Sequence, residues 1–352
     1  MSEAAARPRR GATTIEEVAR AAGVSRQTVS NAINAPQKVR PETLARVTAT
    51  VERLGYQPDQ SARALRTGAR RTLGYLAPVD DPFDPNPLMA GFLEALVDAA
   101  GAEGQRVLLF RPAPGTADPR PAIDELLAAR QVDGLVLADV LTDDPRVAHV
   151  VRSGVPFAAF GRTGADRPQH WVDIDNAAAT AEVAGHLADR GHRRVGFVGG
   201  AAALPWMADR REGFRAEADR RGLTVVEPAR RGGAPGGAEA DRAGAGVAAV
   251  RALLRGPGRP TAVAAGSDLL ALDVYEAVRA EGLTVGRDVA VVGFHDTPLC
   301  RHLHPALTSV RLPLPAIAAG LVRLLLAQVR GERPPGGGLV LPAELIVRDS
   351  SG

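Results

Sequence analysis

The chain of 352 residues is poor in several residue types. Cys300 is its one cysteine, which excludes a disulfide framework and suits a reducing compartment. No run of 18 or more apolar residues occurs, so no membrane-spanning helix is expected. The opening stretch MSEAAARPRRGA has no apolar h-region and does not read as a signal peptide. These absences together predict a cytoplasmic protein. Lys38 is the one lysine beside 42 arginines, an imbalance that with abundant Ala and Gly reads mainly as the codon bias of a GC-rich genome.

What is present is divided unevenly. The net charge is only +3, but the first 71 residues carry 13 basic and six acidic side chains, a surplus of seven. The remaining 281 residues therefore sum to −4. A small basic head on a mildly acidic body points to a polyanionic partner for the head. At 45% hydrophobic residues the length allows two or three domains with real cores.

The head reads as three short helices after a disordered tail, 1–12. Thr14-x-x-Glu17 is a capping box that opens a helix with Ile15, Val18, Ala19 and Ala22 on one face. Gly23 supplies a left-handed stop, and Ser25 is the N-cap of a second helix reaching about Asn31. Thr28, Val29 and Ala32 are its inward side. A third helix begins at Pro41 and repeats Leu44, Val47, Val51 and Leu54. The first two form a helix-turn-helix whose second member exposes Ser25, Arg26, Gln27, Ser30 and Asn31. Arginine pairs bidentately with guanine, and Gln or Asn with adenine, so this face has base-reading chemistry.

The stretch from Thr13 to Gly68, with its VSRQTVSNAIN helix and the GYQPDQSARAL segment, resembles the DNA-binding head and hinge of the LacI/GalR family of bacterial transcription regulators. The resemblance implies that Arg26 and Gln27 read bases. It implies that Ser25, Thr28, Ser30 and Asn34, with Lys38 in the following loop, hold the DNA backbone, that Thr14 and Tyr56 belong to the DNA-binding surface, and that Leu65, beside the small Ala62, wedges into the minor groove. Asn31 stands where the family commonly has Arg, which shifts that position toward adenine. The implied boundaries are 13–58 for the head and 59–71 for a hinge helix and linker.

From Thr72 onward, apolar runs at 73–77, 107–110, 134–138, 156–160, 195–199, 263–266 and 289–294 alternate with helical segments such as 88–102, 123–130, 175–190, 209–221, 240–254 and 269–281. Such alternation predicts parallel sheets covered on both faces, with ligands at the carboxyl ends of the strands. Asn86-Pro87, GHRRVGFVGG at 191–200, Arg210, Gly213-Phe214, Ser267-Asp268 and VVGFHDT at 291–297 extend the resemblance to the family's two-lobed α/β core, which shares the fold of periplasmic binding proteins. The implied lobes are 72–173 with 313–331, and 174–309 with 336–348. Strand ends then nominate Phe83, Asn86, Arg162, Trp206, Arg210, Ser267, Asp268 and His295 as contacts for a small polar effector, a carbohydrate by the pairing of aromatic faces with bidentate polar groups. His295 departs from the acid commonly found there. Trp171 reads equally as a ligand stack or as a structural ring.

Competing chemistry is weaker. Cys300, His302 and His304 lack a usual zinc spacing, Gly196 to Gly200 is not GxGxxG, and no acid/base pair suits an enzyme. No cofactor and no metal are expected. The reading is a non-enzymatic repressor that binds double-stranded, pseudo-palindromic operator DNA as a homodimer or tetramer at the nucleoid. The alternatives are a sugar- or nucleoside-processing enzyme with a DNA-binding head and a transport solute-binding protein.

Overall fold

The computed structural model describes residues 13–56, 70–77, 87–113, 116, 118–164, 169–199, 204–228, 245–332 and 337–352. The chain divides into two compact units, Met1–Arg70 and Arg71–Gly352.

In the first unit, α1 (Ile15–Ala22), α2 (Arg26–Asn34) and α3 (Pro41–Leu54) follow one another. The Thr14 hydroxyl accepts from the Glu17 amide at 3.3 Å and the Glu17 carboxylate accepts from the Thr14 amide at 2.7 Å, so the capping box is complete. Gly23 turns the chain at φ 64°, a conformation costly for any residue with a Cβ. Ser25 caps α2 by accepting from the Thr28 amide at 3.1 Å. Val18, Ala19, Ala22, Val29, Ala32, Val47 and the Tyr56 ring form the head's core.

The second unit contains two six-stranded sheets. The first is built from β1 (Thr72–Leu76), β2 (Arg106–Phe110), β3 (Gly134–Leu137), β4 (Phe157–Phe160), β5 (Trp171–Ile174) and, far along the chain, β11 (Gly338–Leu341). The second contains β6 (Arg194–Val198), β7 (Thr224–Val226), β8 (Ala262–Ala265), β9 (Ala290–His295), β10 (Thr308–Arg311) and β12 (Glu344–Ile346). Their orders are β11-β5-β4-β3-β1-β2 and β12-β10-β9-β8-β6-β7, parallel except where β12 runs against β10. The central strands β3 and β8 are buried along their whole length, as continuous apolar runs in parallel sheets require.

The helices are α4 (Pro87–Ala102), α5 (Arg120–Ala128), α6 (Pro145–Ser153), α7 (Asn176–Asp189), α8 (Pro205–Arg220), α9 (Ala245–Arg255), α10 (Asp268–Ala280) and α11 (Leu314–Val329). Helix α11 returns to the first lobe and buries Ile317, Ala318, Leu321 and Leu325 completely. Ile317, Leu321 and Leu325 each contribute about 2 kcal/mol. Helix α6 lay outside the helices named from the sequence, although Asp144 caps it at the Arg146 amide, Pro145 opens it and Gly154 ends it. The chain crosses between lobes at 174–176, 311–314 and 341–344.

The assignment of 336–348 to the second lobe needs correction. Strand β11 pairs in parallel with β5 of the first lobe, and only β12 joins the second. Gly338 sits opposite Trp171, where an added Cβ would fall 1.9 Å from the indole ring. The absence of a side chain is thus what lets β11 dock on that edge. Trp171 packs against Gly338 and has the Arg162 guanidinium 5.6 Å from its ring centroid.

Candidate functional site

Two polar surfaces carry the candidate residues. The first is on α2. Val29 and Ala32 turn inward, which leaves Gln27, Ser30, Asn31 and Asn34 at helical spacing on the other side, with Arg26 one position before them. Ser25, Arg26, Gln27, Asn34 and Lys38 are exposed; Thr28, Ser30 and Asn31 are half-buried. The Gln27 amide donates to Asn31 Oδ1 at 3.0 Å, Asn34 donates to the Ser30 carbonyl at 2.8 Å, and Arg26 lies 3.5 Å from Glu16. These are surface contacts of small worth, readily exchanged for a base edge or a phosphate. Thr14 and Ser25 spend their hydroxyl acceptors on caps, and both remain at the surface. Tyr56 departs from its expected role: its ring is 9% exposed in the head's core, because the apolar face closes the three-helix cluster. Ala62 and Leu65 lie outside the described residues.

The second surface is the cleft between the lobes, built at strand ends. Arg210 on α8 is buried. Its Nε donates to Asn176 Oδ1 at 2.8 Å, and its Nη1 donates to the Gly266 carbonyl at 2.7 Å and to His295 Nε2 at 3.1 Å. The guanidinium carbon lies 3.5 Å from the Phe294 ring centroid and 4.4 Å from that of Trp206, so aromatic faces enclose the charge. Burial, reinforced by the Arg210 charge, holds the His295 imidazole well below its usual range and therefore neutral.

Arg162, following β4, reaches across the cleft. Its Nη2 donates to Asp209 on α8 at 2.5 Å, and its Nε stands 4.0 Å from Asp173. The Asp173 carboxyl is pushed up to about 6, chiefly by burial. Its Oδ1 accepts from the Ile174 amide at 2.8 Å and from Asn176 Nδ2 at 3.3 Å, which joins the Arg162 cluster to Arg210 through Asn176. Asp139, in the turn after β3, faces the Trp206 side chain of α8. Asp139 adopts φ 52°, and Arg146 holds the turn by donating to the Ala138 and Asp139 carbonyls at 3.2 and 2.8 Å.

The cleft thus unites Arg162, Trp206, Arg210 and His295. Asp139, Asp173, Asn176 and Asp209 were not singled out from the sequence. Asn176 was findable, since it opens a helix directly after a strand. Asp139 and Asp209 depend on how the two lobes meet. Ser267 is half-buried and caps α10 by accepting from the Leu270 amide at 3.2 Å. Asp268 must be removed from the effector contacts. It is 3% exposed, and its two oxygens accept from Ser309 Oγ at 2.6 Å and the Thr297 amide at 2.8 Å. It fastens the turn after β9, and burial pushes its carboxyl up. Asp296 likewise turns inward, to Arg311 and Arg348, each at 2.7 Å. Phe83 and Asn86 lie outside the described residues. Cys300 is buried beside Thr297 while His302 and His304 are exposed, so these three do not converge. Among the described residues no helix is long and apolar enough to cross a membrane.

Residues 14–59 match the family model for bacterial regulatory proteins of the lacI family, and residues 184–351 match that for a periplasmic binding protein-like domain. Over 345 residues the chain is 33% identical to the HTH-type transcriptional regulator CelR of Thermobifida fusca, covering 97% of this chain and 99% of that protein. A solved complex of transcriptional regulator CelR with cellobiose is 29% identical, with a TM-score of 0.69 over 96% of this chain and all of that one. The lac repressor dimer bound to operator and the anti-inducer ONPF has a TM-score of 0.77 over 97% of this chain and 99% of that one; at 24% identity the likeness is one of fold.

Proposed function

The chain belongs to the lacI family of bacterial regulatory proteins, and from that premise we propose a repressor that reads a pseudo-palindromic operator as a homodimer and answers to a small carbohydrate. The observation that carries the reading is the exposed pair Arg26 and Gln27, with the half-buried Ser30 and Asn31 beside them, on a helix capped at Ser25 and fixed from behind by Val29. Arg26 and Gln27 read base edges; Ser25, Thr28, Asn34 and Lys38 hold phosphates. Ala62 and Leu65 are assigned to the minor groove by the resemblance, an apolar wedge whose unstacking cost is offset by wider contact with bent DNA.

Dimerisation has support in the first lobe. Strand β2 is an edge of its sheet, and Leu109 on it and Val97 on α4 are each 49% exposed. The effector occupies the cleft lined by Arg162, Trp206, Arg210 and His295, with Ser267 at its edge and Phe83 and Asn86 assigned by resemblance. Cellobiose in the CelR complex supports a carbohydrate. The effector changes DNA affinity only by as much as it favours one lobe arrangement over another.

The test is selection of random duplexes on the full chain, followed by anisotropy titrations of the selected site with and without candidate sugars. A pseudo-palindromic consensus, released or tightened by a carbohydrate, is expected. Enrichment of no sequence overturns the reading. The protein works at this stage by binding alone; its relatives carry the names of transcriptional regulators.

A further inference from the structure

His295 ends β9 with φ 116°, a backbone state that a residue with a Cβ keeps only when its surroundings impose it. The surroundings here do so. The next amide, Asp296 N–H, donates to Ser309 Oγ at 3.0 Å. The Asp296 carboxylate is gripped by Arg311 and Arg348, and Thr297 is tied to Asp268. The imidazole is therefore held rigidly at the strand end.

Its chemistry follows from one contact. The Arg210 guanidinium has no lone pair, so in the 3.1 Å contact His295 Nε2 must accept. The ring proton then sits on Nδ1. A carboxylate at this place would offer only acceptors, suited to sugar hydroxyls. The neutral imidazole so tautomerised offers a donor, with the Arg210 cation beside it and the Trp206 ring 6.5 Å away. The acceptors Asp173 and Asp209 are grouped on Arg162, and Asp173 reaches Arg210 only through Asn176.

We infer that the His295–Arg210 subsite selects a carbohydrate by a hydrogen-bond acceptor, a carboxylate, so that the effector is a sugar acid of the uronate class, its hydroxyls facing the aspartates. This rests on the carbohydrate reading above and narrows it.

The experiment is isothermal titration of the full chain with D-glucuronate and D-galacturonate against D-glucose and D-galactose, on the parent, His295→Asp and His295→Asn. The parent is expected to bind a uronate at least about tenfold tighter than its neutral counterpart, the size of one charge-assisted hydrogen bond. His295→Asp should lose that preference, and His295→Asn, which keeps an N–H, should retain most of it. A cooperative thermal melt and a parent-like circular dichroism spectrum show that each variant is folded. A neutral sugar bound as tightly as its uronate by the parent, or a preference that survives His295→Asp, overturns the inference. If neutral sugars such as cellobiose alone shift operator affinity, the carbohydrate-responsive function stands and only the sugar-acid assignment falls. If no carbohydrate of either class binds, both fall.

Discussion

The face of α2 and the cleft between the lobes hold similar side chains, arginine, amides, hydroxyls and carboxylates, in opposite states. On α2 the arginine is exposed, and the ion pair it makes is 3.5 Å long. In the cleft, Arg210 is 3% exposed and donates to three acceptors within 3.1 Å. A long polyanion supplies its own field and its own partners, so a surface that reads it can afford adaptable side chains. A small polar ligand supplies few contacts, and the protein must hold its groups in place beforehand. The consequence is that α2 substitutions should cost binding and spare folding, whereas cleft substitutions should cost both.

The sharpest break of that contrast is Arg210→Ala. Effector affinity should drop by about a hundredfold or more, as for truncation of a buried hydrogen-bonded charge. The melting temperature should also fall, because Asn176 Oδ1 and the Gly266 carbonyl lose their donor. Operator affinity should stay within about twofold of the parent by anisotropy; a loss comparable to that of the effector would contradict the separation of the two surfaces. Arg26→Ala comes next. It should cost about 1–3 kcal/mol at the selected operator, less on random DNA, and change folding stability by no more than about 0.5 kcal/mol. Equal losses on both DNAs would make Arg26 a phosphate contact.

Asp173→Asn tests the buried state through pH. A carboxyl raised from 3.8 to about 6 binds its proton more tightly in the folded chain, so its ionisation lowers stability as pH climbs from about 4 to 6. Asparagine removes that loss and can still accept from the Ile174 amide. The variant should therefore gain on the parent by about 1–2 kcal/mol between pH 4.5 and 7 in urea melts. His186, lowered to about 4 by burial, works in the opposite sense in both proteins and cancels. A constant gap across pH would refute the assignment. The smallest effect belongs to Ser25→Ala, which removes the α2 cap and should lower head stability by about 1 kcal/mol. It should be visible as faster amide exchange confined to α1–α3.

Legibility in the sequence followed the range of the interactions. The head was readable almost in full, since capping box, Gly23 turn, Ser25 cap and the Val29 anchor are set by neighbours within a few residues. Central strands such as β3 and β8 were readable as unbroken apolar runs. Of the edge strands β2 was readable, but β7, β11 and β12 were not: they are three or four residues long and only partly buried, and their pairing is decided by distant partners. In the cleft, Arg210 and His295 could be nominated from strand ends and resemblance. Asp139 and Asp209 could not, because their partners Trp206 and Arg162 stand on the opposite lobe. Asp268 was misplaced for a related reason: strand-end position says that a residue is near the cleft, but not that Ser309 and Thr297 draw it inward.

The late position of β11 and β12 has a consequence for synthesis. Neither sheet can complete its edge until residues 338–346 leave the ribosome. At about 5–20 residues per second, roughly ten seconds to a minute separate the emergence of α3 from that moment. During each round of translation a nascent head is whole before its sensor is.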